Sequence, residues 1–284
     1  MKIITLDHPI DDRQRGQLLF EGHLLIYRQR SSMLELIDYT ISMLKIELAD
    51  LEPTSAQRHL NTEQFLQATG AAQTRFRTDP KARQLFFQVL RECGVKTHSC
   101  YYDHFPLRVV PFCSSHTGAH RAAIAHHRDT WGSNIHSQQN WWAPIYTLSS
   151  ERTIAIYPAY WHQAIANTTE SWSFEEFLAA RAKSEIERQV PYPSAPSPIQ
   201  TVDESDVVKL VIEPGDVLNF ASAQLHASVP NTTDATRYSV EMRTVHLSDL
   251  HANRQAPNID NAASEPMYFW FKNIESKQKL SHLS

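Results

Sequence analysis

His127 and Asp129 form a His-x-Asp pair within His126-His127-Arg128-Asp129-Thr130-Trp131. On a strand, side chains two apart point to the same face, so both could reach one ion. A third donor is available in Leu225-His226-Ala227-Ser228. Two neutral imidazoles and one carboxylate on one face of a metal make the facial triad that suits non-haem Fe(II) and leaves three positions open. In a chain with 15 His the pair alone is a weak signal, and His226 gives it context. Arg237-Tyr238-Ser239 adds to it: Arg237 and Ser239 share a strand face, and Arg237 follows His226 by enough chain to turn back and run beside it. A buried guanidinium near such a centre wants a carboxylate, which it grips with two parallel hydrogen bonds.

Other elements must bring these groups together. Before residue 95 the pattern is mainly helical. Leu18 to Arg28 is read as two short strands or a strand and turn; Ser32-Met33-Leu34-Glu35 is read as a capping box opening a helix that carries Leu34, Ile37, Ile41, Leu44 and Leu48. A weaker helix spans Thr62 to Thr69, and a well-marked one has Asp79 as N-cap, Pro80 first and Gly94 as terminator. After Gly94 the chain changes to short β-branched or aromatic runs. These are Cys100–Tyr102, Leu107–Val110, Asn140–Tyr146, Thr153–Tyr157, Val207–Ile212, Asp216–Phe220, Leu225–Val229 and Arg237–His246. Many short strands separated by turns, among them Pro214-Gly215-Asp216, predict a sandwich or barrel.

The expected organisation is one domain over 1–284. It has mostly helical support at 1–95, a β core at 96–246 interrupted by an insertion at 162–206, and an extension at 247–284. Ser173-Phe174-Glu175-Glu176 opens a helix to about Gln189, and the proline-rich residues 190–198 are either a surface linker or a lid. The cluster Met267-Tyr268-Phe269-Trp270-Phe271 is expected to dock on the body.

The formal net charge of −4 gives no reason to expect nucleic-acid or membrane-surface binding. No apolar run approaches the ~18 residues of a membrane span. Cys93, Cys100 and Cys113 contain no CxxC and are expected as buried thiols in a reducing compartment. With no basic start followed by a long apolar run, the expected location is cytoplasmic.

His127-x-Asp129, His226 and Arg237-x-Ser239 together resemble the phytanoyl-CoA dioxygenase-like branch of the Fe(II)/2-oxoglutarate oxygenases. The resemblance runs from about Tyr101 to Val245. It includes Ile154-Ala155-Ile156-Tyr157-Pro158-Ala159-Tyr160-Trp161, similar to a family strand ending in Pro-Gly-Ser-His, and Glu213–Phe220, similar to its Gly-Asp strand. The chain departs from that pattern at Ala159 and at Trp161-His162. The resemblance implies a mainly β fold with flanking helices, a double-stranded β-helix (jelly roll, cupin-like). It implies Fe(II) on His127, Asp129 and His226, the distal carboxylate of 2-oxoglutarate on Arg237 with Ser239 beside it, and Trp142 lining the co-substrate pocket. It further implies a dioxygenase that uses O2 and 2-oxoglutarate, releases succinate, and hydroxylates or desaturates an unactivated C–H of a small molecule. Halogenating relatives have a small residue where this chain has Asp129.

The stretch His104, Arg108, His116, His120, Arg121, His126, Arg128 suggests an anionic substrate, or else a solvated loop. Two other readings compete with the oxygenase. One is a cupin-like metalloenzyme that does not use 2-oxoglutarate, such as an isomerase or another dioxygenase. The other is a non-catalytic β-sandwich binding module. Nothing in the sequence fixes the oligomeric state.

Overall fold

The computed structural model describes residues 1–112, 124–186 and 194–281. The strands are β1 (Ile3–Leu6), β2 (Leu24–Tyr27), β3 (Cys100–Tyr102), β4 (Leu107–Val110), β5 (Gln138–Pro144), β6 (Ile154–Ile156), β7 (Val208–Leu210), β8 (Val217–Ala221), β9 (His226–Ser228), β10 (Arg237–His246) and β11 (Lys272–Asn273). The α-helices are α1 (Asp12–Phe20), α2 (Ser31–Glu47), α3 (Thr62–Thr78), α4 (Pro80–Glu92), α5 (Asp129–Ser133), α6 (Phe174–Ile186) and α7 (Leu247–His251).

An eight-stranded sheet has the order β1-β2-β8-β5-β10-β3-β11, with β4 also on β10. A smaller sheet runs β7-β6-β9, and an isolated bridge joins His127 to His226 at its other edge. Counting only the core pieces along the chain gives β4, the His127 bridge, β5, β6, β7, β8, β9 and β10. Their order is one-eight-three-six in the large sheet and two-seven-four-five in the small one. That alternation between two facing sheets is the double-stranded β-helix. The fold is thus mainly β with flanking helices, as the sequence implied.

Strand alternation sorts each side chain to one of two environments. On β10, Tyr238, Val240 and Met242 point outward into a core shared with α2, α3 and α4. Trp141 of β5 joins them, stacked on Tyr27 and donating to Thr244 at 2.8 Å. The opposite face holds Trp142, Leu218 and Phe220 against Ile154, Ile156 and Leu210 of the small sheet. So both tryptophans are buried, in different cores.

Four local readings need correction. Leu18 to Phe20 belong to α1, and only Leu24–Tyr27 forms a strand, which pairs with β8. The N-terminal region therefore contributes two strands to the large sheet as well as helices. Helix α2 begins at Ser31 with no side-chain cap, because the Ser32 hydroxyl and N–H both bind Glu92 of α4 instead of closing a box with Glu35. The capping box falls one helix later, where Asn61 and Gln64 satisfy each other's backbone at the start of α3, which runs to Thr78 rather than Thr69. Finally, His127 and Asp129 do not share a strand: His127 sits on the bridge and Asp129 is the first residue of α5.

Asp79, Pro80 and the left-handed Gly94 mark the ends of α4 as expected. Gly215, with φ +98, forms the turn before β8. Ser173 accepts from the Glu176 N–H at the start of α6. Met267 and Phe271 dock into a small core with Val245 and Ile135, while Phe269 stays exposed. Cys93 and Cys100 are buried free thiols. Cys113, His116, His120, Arg121, the end of the helix near Gln189 and residues 190–193 of the linker-or-lid segment at 190–198 lie outside the described residues. No helix among the described residues is long and apolar enough to cross a membrane.

Candidate metal centre

His127 and His226 are antiparallel partners, each donating its N–H to the other's carbonyl at 3.0 Å. Directly opposed residues carry their side chains on one face, and the two rings lie 4.2 Å apart between centroids. Each ring is oriented by its own neighbourhood in sequence. Nδ1 of His127 meets the Ala125 carbonyl at 2.8 Å, and Nδ1 of His226 meets the Gln224 carbonyl at 3.0 Å. A carbonyl only accepts, so Nδ1 carries the proton and each Nε2 lone pair is left to a metal.

Both Nε2 atoms face Asp129. Oδ1 is 3.9 Å from His127 Nε2 and Oδ2 is 3.7 Å from His226 Nε2. One donor atom from each of the three residues lies within 4.8 Å of the others. The donor set predicted from sequence is therefore assembled, and it fits a cation with a mixed nitrogen and oxygen preference such as Fe(II).

The backbone that delivers Asp129 is clamped from below. Arg128 is extended and buried, and its guanidinium donates to the carbonyls of Ala223 and Tyr160, both at 2.6 Å, and to Asp260. Asp260 also accepts from the Trp131 indole at 2.7 Å. Arg128 is thus a strut under the turn that carries Asp129, not part of a solvated loop.

Asp129 is tied to the large sheet. Asn140 of β5 donates to Oδ2, and Arg243 of β10 donates to Oδ1 at 3.1 Å. Burial would raise the Asp129 pKa. The Arg243 guanidinium, the two imidazoles and the Asn140 bond outweigh it and hold the carboxyl well below the usual carboxylate range. Burial also lowers His127, to about 4, helped by His226 and opposed by Asp129. The sequence reading missed Asn140 and Arg243. The alternation that puts Arg237, Ser239, Glu241 and Arg243 on one face of β10 pointed toward Arg243, and the same alternation on β5 puts Asn140 on the face of Trp142.

Arg237 lies at the other end of that inner face and is buried. It donates to the Thr153 carbonyl and, at 3.0 Å, to the Ser228 hydroxyl. Its Nε and the Ser239 hydroxyl are buried with no hydrogen-bond partner among the described residues. Burial pushes the Arg237 guanidinium down to about 9, with Arg108 repelling it and Glu241 opposing. Ser228 and His226 are two apart on β9, so their backbones are separated by about 7 Å on one face. A guanidinium with no salt-bridge partner among the described residues therefore sits one side-chain step from the triad. Trp142 lies opposite Glu241 on the same inner face, buried among apolar side chains.

The described basic side chains of the stretch 104–128 that the sequence singled out as substrate contacts are each matched by a carboxylate of the protein. His104 contacts Asp103, Arg108 binds Glu241, His126 contacts Glu204 and Arg128 binds Asp260.

No family model matches the chain, and no curated protein matches it. Among solved structures it is similar to SnoK, an alpha-ketoglutarate-dependent carbocyclase from nogalamycin biosynthesis, with 12% identity, 93% of this chain, 98% of that one and TM-score 0.45. The epimerase SnoN, solved with Fe3+, alpha-ketoglutarate and nogalamycin RO, gives 12%, 82%, 83% and 0.44. EvdO2 from Micromonospora carbonacea var. aurantiaca, complexed with 2-oxoglutarate, gives 12%, 85%, 93% and 0.44.

Proposed function

We propose that the protein is an Fe(II)/2-oxoglutarate-dependent dioxygenase that hydroxylates an unactivated C–H of a small molecule, of the phytanoyl-CoA dioxygenase-like kind. His127, Asp129 and His226 hold the iron, and Arg237 with Ser239 takes the distal carboxylate of 2-oxoglutarate. Iron with 2-oxoglutarate and O2 supplies the oxidation, with succinate as co-product. The chain's own residues set the geometry: the bonded Nδ1 atoms aim the imidazoles, and the Arg128 strut holds the turn.

The observation that carries this reading is Arg237. A buried cation without an acid is costly, and its free Nε and the idle Ser239 hydroxyl suit an incoming carboxylate. A five-carbon diacid spans about 5 Å between its end carbons, which is commensurate with the separation of His226 from Ser228. A metalloenzyme without 2-oxoglutarate gives Arg237 no partner, and a binding module gives the triad none.

Anaerobic addition of Fe(II) and then 2-oxoglutarate tests it. The pair should produce a weak visible charge-transfer band that His226→Ala abolishes and Arg237→Gln weakens. Metal binding without any response to 2-oxoglutarate would leave only the cupin-like alternative. Succinate release across candidate metabolites, read by mass for +16 products, then separates hydroxylation from desaturation and identifies the substrate. The anionic-substrate idea predicts that the hits carry a carboxylate, phosphate or acidic sugar; activity confined to neutral compounds would end it.

A further inference from the structure

Two of the triad's donors are held by bonds from their own neighbours, and the third is not. His127 and His226 each donate from Nδ1 to the carbonyl two residues before. Asp129 opens a five-residue helix after an extended residue. Its oxygens are met by Asn140 and Arg243, which lie 11 and 114 residues away in sequence.

Arg243 is itself immobilised. Its Nε donates to Asp103 Oδ2 at 2.6 Å, and its Nη2 reaches the same carboxylate, whose side chain is fully buried. Asp103 is fixed in turn by the His104 N–H at 2.5 Å and the His104 ring at 2.8 Å. The result is a continuous chain, Asp129–Arg243–Asp103–His104, running from the triad across β10 to an exposed imidazole in the loop between β3 and β4.

We infer that Arg243 is the positioning residue of the metal centre: clamped on Asp103, it fixes the plane of Asp129 so that the carboxylate offers the ion a single oxygen. The inference rests on the reading of His127, Asp129 and His226 as ligands, and does not depend on the co-substrate or the reaction. Its physical basis is geometric. A carboxylate that turned to chelate the ion would occupy two positions, and turning is opposed by the bonds that already hold both oxygens, Oδ1 by Arg243 and Oδ2 by Asn140. Held as it is, it would occupy one and leave the remaining positions of the ion open. Asp103 has a separate task. A bare guanidinium beside a ligand would repel a divalent cation, and the Asp103 carboxylate cancels that charge while leaving the geometry in place.

Co(II) binding and its visible spectrum test this in the full chain, with no turnover required. Arg243→Gln should lower Co(II) affinity by about 10–100-fold, the usual cost of losing a group that orients a ligand. It should also alter the intensity of the Co(II) bands, which reports coordination number. Methylguanidinium added to that variant should restore the wild-type bands. Arg243→Lys retains a cation for Asp103 but loses the fork, so it should stay folded and still show altered bands. Asp103→Asn should weaken Co(II) through uncompensated charge. Wild-type bands and affinity in folded Arg243→Lys or Arg243→Gln would overturn the inference while leaving the triad standing. Failure of the wild-type chain to bind Co(II) at all would overturn both.

Discussion

Arg237 and Arg243 lie six residues apart on one face of β10, and their surroundings could hardly differ more. Arg243 touches two carboxylates, Asp103 and Asp129, and the pairing holds its guanidinium firmly protonated against the effect of burial. Arg237 has a carbonyl, one hydroxyl and an idle Nε, and burial drives it the other way. The contrast separates a charge the fold has already neutralised from one that it holds in reserve. On our proposals, the first organises a metal ligand and the second receives an anion.

The largest expected effect is on co-substrate binding. Arg237→Met should weaken 2-oxoglutarate by about 3–5 kcal/mol, the cost of removing one partner of a buried charge pair, while Co(II) affinity stays unchanged. Isothermal titration of both ligands checks this. Equal loss of the two would erase the distinction between the arginines.

Arg243→Met should destabilise the apo-protein by about 3–5 kcal/mol, because it leaves Asp103 buried without its cation. Urea denaturation reads this directly. A change below about 1 kcal/mol would mean that the Asp103 pairing is dispensable.

The triad beside Arg243 adds a pH signature. His127 is lowered from 6.5 to about 4 in the folded chain, so the unfolded chain takes up that proton first. As pH falls from 6.5 toward 4, apo-protein stability should drop through this group, by on the order of 2–3 kcal/mol. His127→Asn should flatten that part of the profile. An unchanged slope would show that another group sets it.

The smallest effect has the opposite sign. Without ligands, Arg237→Met should be neutral or raise stability by about 1–2 kcal/mol, since an uncompensated buried charge is replaced by an apolar side chain of similar length. Marked destabilisation, seen as a lower melting temperature, would mean that Arg237 is already satisfied in the apo-protein.

Much of this was legible in the residues. Alternation set the bounds of β10 at Arg237 and His246 and put Arg237 and Ser239 on one face. Residue types also announced the three members of the candidate triad, although the expected strand through Asp129 proved to be a bridge and a short helix. Where a local signal had a distant competitor, the competitor won: Ser32 turned to Glu92 rather than to Glu35.

Sequence by itself determined what acts at short range: the identities of the candidate donors, the period of the strands and the cap at Asp79, since bonds between neighbours need only a few residues of chain. Tertiary structure decided which oxygen of Asp129 meets Arg243, which arginine finds acids and which does not. Those outcomes depend on groups more than a hundred residues apart being packed together away from water, where pairing or its absence dominates the energy of a charge.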